Sequence, residues 1–129
     1  MALLIEPTVD VAASVTDAVV AAYASRRESV QTMPVSELVS DFVSADLSSL
    51  TAVVSASQRV AEVVVDEGIE LERLAAAAWA LAGRGWDLIV LVPTSQIGDA
   101  HTSLRAAPCL IQPWWSDADG VWFGAFETP

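Results

Sequence analysis

The segment Gly83-Arg84-Gly85-Trp86-Asp87-Leu88-Ile89-Val90-Leu91-Val92-Pro93 decides the fold. A helical pattern stops at Gly83, an unbroken apolar run occupies Leu88–Val92, and Pro93 closes it. A short run of this kind, rich in β-branched residues and bounded by Gly and Pro, is the pattern of a strand buried on both faces. Ile89 and Leu91 then point to one face, and Val90 and Val92 to the other. Helical patterns flank the segment on both sides, so it is read as the central strand.

Downstream, Ser95 is placed to cap a helix that runs to about Ala106 and carries Ile97, Ala100, His101 and Leu104 on one side. Pro108 stops it. Cys109–Trp115 reads as a strand, and Pro113 argues for an edge position. The interval between the two strands is long enough for a right-handed helical crossover between parallel neighbours. Ser116-Asp117-Ala118-Asp119-Gly120 reads as a five-residue turn, and Val121–Phe126 as the last strand.

Upstream, Glu70–Ala82 reads as a helix with Leu71, Leu74, Ala75, Ala78, Trp79 and Ala82 on its buried face. The longest predicted helix spans about Leu47–Asp66, from the spacing of Leu47, Leu50, Val54, Ser57, Ala61 and Val64. Val35, Leu38, Val39, Phe42 and Val43 predict a short amphipathic helix after Pro34. Arg26–Met33 is polar and reads as a loop, and Thr8–Ser25 as a helix, with a short strand at Ala2–Ile5. The expected fold is a single small α/β (or α+β) domain over residues 1–129. Helices from its first two-thirds pack on a three- to four-stranded mixed sheet formed mainly by residues 87–127.

The 129 residues are 53 % hydrophobic, enough for a real core. The formal charge is −11, from 17 acidic residues against six basic ones, all Arg. Such a chain repels phosphate backbones and anionic bilayer surfaces, which predicts no nucleic-acid and no membrane partner. The single cysteine, Cys109, fits a reducing compartment. The N-terminus lacks a basic region, and the longest apolar run, Leu74–Ala82, is too short to span a bilayer. A cytoplasmic location is expected.

The standard catalytic signatures are missing. With no Lys there is no phosphate-binding Gly-rich loop of the Walker type, and one His excludes any site needing two imidazoles. An acidic-x-Lys pair for a metal nuclease is absent as well. Asp117 and Asp119 read as a solvated turn, so neither a metal nor a cofactor is expected. Two features remain. The loop Pro93–Gly98 follows the carboxyl end of the central strand, where α/β sheets often hold ligands. Thr94, Ser95 and Gln96, with His101 nearby, are its candidate ligand-binding residues, and no catalytic residue is assigned. Trp114, Trp115 and Trp122 form an aromatic cluster of the kind found at protein interfaces. The leading expectation is a non-enzymatic interaction or assembly module that self-associates as a homodimer or meets a protein partner. The alternative is a small-ligand-binding domain or enzyme built on the Pro93–Gly98 loop and His101.

Overall fold

A computed structural model describes residues 11–38, 50–65 and 71–129. In chain order the elements are α1 (Val11–Ser25), β1 (Gln31–Pro34), α2 (Val35–Leu38), β2 (Thr51–Ser55), β3 (Val60–Val64) and α3 (Glu72–Ala82). They are followed by β4 (Asp87–Pro93), a 3-10 turn (Thr94–Gln96), α4 (Ile97–Ser103), β5 (Cys109–Asp117) and β6 (Gly120–Phe123). The strands form one mixed six-stranded sheet in the order β1-β2-β3-β4-β5-β6. Pairing is antiparallel from β1 to β3, parallel from β3 to β5 and antiparallel between β5 and β6.

The expected three- to four-stranded sheet is therefore an undercount. The missing strands come from the segments read as a loop and as the longest helix. Thr51–Val64 is a β-hairpin in which Ala52 faces Val63 and Val54 faces Ala61. Its turn is held by local contacts: the Ser55 hydroxyl accepts the Gln58 N–H at 3.4 Å, and Arg59 adopts φ +54°. The apolar residues do recur at helical intervals, but Thr51, Val53, Val54, Val60, Val63 and Val64 are β-branched and favour extended backbone. Both faces of β2 and β3 are covered, so alternation with polar residues, the usual strand signal, does not appear. Strand β1, Gln31–Pro34, takes up the end of the segment read as a loop (Arg26–Met33) and the Pro34 read as a helix start, and among the described residues it is an edge strand. Its polar residues and Pro34 suit a strand with one open side.

The predicted strand at Ala2–Ile5 and residues 8–10, 39–49 and 66–70 of the predicted helices lie outside the described residues.

The central strand is β4, as its sequence predicts. Leu88, Val90 and Val92 enter the larger core beneath α2, α3 and α4, together with Leu74, Leu104 and Ile111. Ile89 and Leu91 enter the second core, beneath α1, with Val15, Val19, Tyr23, Val53, Val64 and Trp114. Helix α3 buries Leu74, Ala77, Ala78 and Leu81, whereas Trp79, expected on the inner face, is 62 % exposed. Leu74, Ala78 and Leu81 share a face at intervals of three and four, and Trp79 falls one position off it.

Two further corrections concern the C-terminal hairpin. Strand β5 lies between β4 and β6, so Pro113 is internal rather than at an edge. The missing N–H of Pro113 is compensated locally. The Gly124 N–H donates to the Pro113 carbonyl at 2.8 Å, and the Gln112 side-chain amide donates to the Gly124 carbonyl at 3.1 Å. A Cβ on Gly124 would stand 2.7 Å from Pro113 Cγ, so the close approach requires glycine. Regular pairing ends at Phe123 and resumes as a single bridge between Ile111 and Glu127. The turn itself is tighter than expected. Asp117 pairs with Gly120, leaving Ala118 and Asp119 as a two-residue loop, and the Asp117 carboxylate accepts the Asp119 N–H at 2.8 Å. That register sets Trp115 opposite Trp122 and Trp114 opposite Phe123. The five-residue turn would have shifted these pairs by one residue.

Candidate functional site

Glu62 is the only charged residue in the run Val60–Val65. It sits on β3 between Val53 of β2 and Ile89 of β4, on the sheet face that α1 covers, and is 8 % exposed. Helix α1 crosses this face because Val15, Val19 and Tyr23 recur every four residues and are all buried. Tyr23, the only tyrosine in the chain, brings its hydroxyl to the Glu62 carboxyl and forms a hydrogen bond with it. Burial raises the Glu62 carboxyl above its ordinary range, while the Tyr23 hydroxyl and the Arg26 charge oppose the rise. Burial, with Glu62 beside it, also pushes the Tyr23 hydroxyl well above the usual phenol range.

A cavity of about 260 Å³ opens beside this pair, between the C-terminal half of α1 and strands β3 to β5. Ile89, Val60 and Val19 supply apolar wall, and Phe123 and Phe126 add aromatic wall from the C-terminal segment. At the rim the Arg26 guanidinium stacks over the Tyr23 ring at 4.7 Å. It also approaches Glu28 at 3.9 Å, and Glu28 accepts the Gln58 amide at 2.6 Å. The arrangement is a small, mostly apolar recess with one buried carboxyl and one phenol converging on it. That is the general form of a site for a small ligand.

The sequence-predicted ligand residues lie elsewhere. Thr94, Ser95 and Gln96 form the 3-10 turn after β4. The Thr94 hydroxyl donates to the Trp114 carbonyl at 3.0 Å, tying the turn to β5. Ser95 was expected to cap the helix, but Gln96 occupies that position and no side-chain capping bond forms. Helix α4 has only seven residues, and Asp99 already occupies its first turn. His101 is half-exposed and its Nε2 lies 2.7 Å from Glu127 Oε1. Cys109 is buried, and burial raises its thiol above the usual range, away from the thiolate needed of a nucleophile. Among the described residues no group of three or more His, Cys, Asp and Glu side chains is placed to hold a metal ion.

The three tryptophans separate. Trp114, expected at an interface, is 5 % exposed and belongs to the core under α1, with its indole N–H unpartnered. Trp115 and Trp122 face each other across the β5–β6 hairpin and are 45 % and 46 % exposed. The Trp122 indole donates to the Asp117 carboxylate, which, with the backbone N–H bonds there, holds that acid below its usual range.

Sequence reasoning missed the pairing of Glu62 with Tyr23. The available signal was an acid inside a valine-rich run. A helical reading of Leu47–Asp66 sends that acid to solvent, and only the hairpin turns it inward. No helix among the described residues is long and apolar enough to cross a membrane. Comparison of the chain with family models, with curated proteins and with solved structures finds no match in any of the three.

Proposed function

We propose that this chain is a protein-interaction module that self-associates through its C-terminal hairpin. The observation that carries the reading is the exposed Trp115–Trp122 pair beside a sheet edge that is open among the described residues. An edge strand presents unpaired backbone N–H and C=O groups, and proteins usually blunt such edges with charge or proline. Strand β1 has Pro34, whereas Gly120-Val121-Trp122-Phe123 contains neither charge nor proline. In an antiparallel hairpin closed by the Asp117–Gly120 pair, alternation turns the Val121 N–H outward, toward a further strand.

The occupant is a second copy of the chain. Two β6 strands pairing antiparallel about a two-fold axis extend the sheet and bring four indoles together. The same symmetry sends the two acidic turns, each with Asp117 and Asp119, to opposite ends of the contact. This limits the repulsion between two chains of charge −11 each. Light scattering over a range of concentrations tests the reading. The expected result is a concentration-dependent dimer that Trp122→Thr and Val121→Pro both convert to monomer, with circular dichroism unchanged. A monomer at every concentration, or a dimer indifferent to both substitutions, refutes it.

A further inference from the structure

We infer that the recess beside Tyr23 and Glu62 is a binding site for a small organic ammonium ion with an apolar body, held by the Glu62 carboxylate and the surrounding aromatic rings. The recess takes Phe123 of β6 into its wall but lies on the α1 side of the sheet, opposite the exposed Trp115 and Trp122, and the inference does not depend on self-association.

The first support is the placement of the charge. Among the described residues Glu62 is the only acidic side chain lining the recess, and it is more than nine-tenths buried. Its neighbours across the sheet, Val53 and Ile89, are apolar. From α1 it is faced by Tyr23 and Arg26, and the lining residues Gln112 of β5 and Phe123 of β6 carry no charge. A carboxyl in such surroundings is poorly solvated, and among the described residues it has no buried cation of its own. The Arg26 side chain is 55 % exposed and approaches Glu28 at the rim, so it does not fill this place.

The second support is the wall. Tyr23, Phe123 and Phe126 all line the recess, and Phe126 is 55 % exposed at its opening. Aromatic faces attract ammonium ions through the ring quadrupole, most strongly where water is excluded. An ammonium there meets a carboxylate and aromatic rings, while Ile89, Val60 and Val19 cover its hydrocarbon part. The volume sets the size: about 260 Å³ is below the ~300–1,000 Å³ of drug-sized sites. A one-ring arylalkylamine suits it. The acidic surface, at a net −11, concentrates cations near the opening.

Binding is coupled to a proton. Burial shifts the Glu62 carboxyl toward its neutral form. An ammonium favours the ionised form, and the displaced proton passes to buffer. Affinity therefore increases as pH rises toward the value at which Glu62 of the free protein is ionised.

Calorimetric titration of the full chain with 2-phenylethylamine, 2-phenylethanol and phenylacetate tests the assignment. The expected order is amine at least tenfold tighter than alcohol, with phenylacetate not binding. The amine enthalpy should vary with the ionisation enthalpy of the buffer, reporting proton release. Glu62→Gln should weaken the amine at least tenfold and leave the alcohol unchanged, and its retained near-ultraviolet circular dichroism shows that the fold persists. Tyr23→Phe provides a second variant, with a smaller loss for the amine. Equal affinity for amine and alcohol, or an amine affinity indifferent to Glu62→Gln, overturns the proposal. So does the absence of binding by all three probes.

Discussion

On one side of β4, Leu88, Val90 and Val92 lie beneath α3 and α4. On the other side, Ile89 and Leu91 lie beneath α1, the only helix on that face among the described residues. The first face is apolar throughout, and Val90, Leu74, Ala61 and Ile111 are all at 0 % exposure. The second face contains Glu62, Tyr23 and Gln112, an unpartnered Trp114 indole and a recess. Two or more helices close a sheet face more completely than one. The less covered face is where polar groups reach inward with access to water. Core stability and candidate ligand chemistry are thus divided between the two sides of one strand, and adjacent residues of β4 serve different ends.

The sharpest way to break this comparison is to place the same charge on either side. Val90→Asp puts an unpaired carboxylate into the closed face and should destabilise by about 4 kcal/mol or more, enough to prevent soluble expression. Ile89→Asp, one residue along and beside the recess, should remain soluble with a lowered Tm. The sequence alone predicts equal damage at the two positions. If both variants fail alike, the second face is as closed as the first.

A smaller effect is expected at Gln112. Its amide takes the place of the N–H that Pro113 lacks, so Gln112→Leu leaves the Gly124 carbonyl without that donor. The cost should be about 1 kcal/mol, read from a denaturant midpoint. An unchanged midpoint means that water replaces the amide.

The smallest effect, and the one that distinguishes the faces by pH, is at Glu62. Its folded pKa is raised above the unfolded value, so the folded state holds the proton more tightly. Stability is then greatest below the unfolded pKa, about 4.3 for a free Glu side chain, and falls as pH rises through the folded value. Glu62→Gln should be more stable than the parent near pH 8, by less than the Gln112→Leu loss. The difference should shrink to nothing toward about pH 4, where both side chains are neutral. Melting curves of the two proteins across this range give the answer. A constant difference would mean that Glu62 does not change its ionisation on folding.

Legibility in the sequence followed how completely a segment is buried and how distinctive its boundaries are. Leu88–Val92 was legible because Gly83, Gly85 and Pro93 bracket an apolar run too short for a helix. The last hairpin was legible from its aromatics and its acidic turn, though not its register. A two-residue loop depends on Asp117 accepting the Asp119 N–H, which composition does not reveal. Thr51–Val64 was misread because valines inside a doubly covered sheet lose the alternation that marks a strand. Their spacing then matched a helix by coincidence.

The amino-acid sequence by itself determined the central strand, the helix ending near Gly83, the acidic surface and the absence of familiar catalytic signatures. These depend on local steric preference and on total charge, which need no partner to act. Tertiary structure decided that Glu62 meets Tyr23, that Trp114 is core while Trp115 and Trp122 are surface, and that Gln112 stands in for a proline's missing donor. Each joins residues distant in sequence or set by strand register, and register is fixed only when whole faces are buried together.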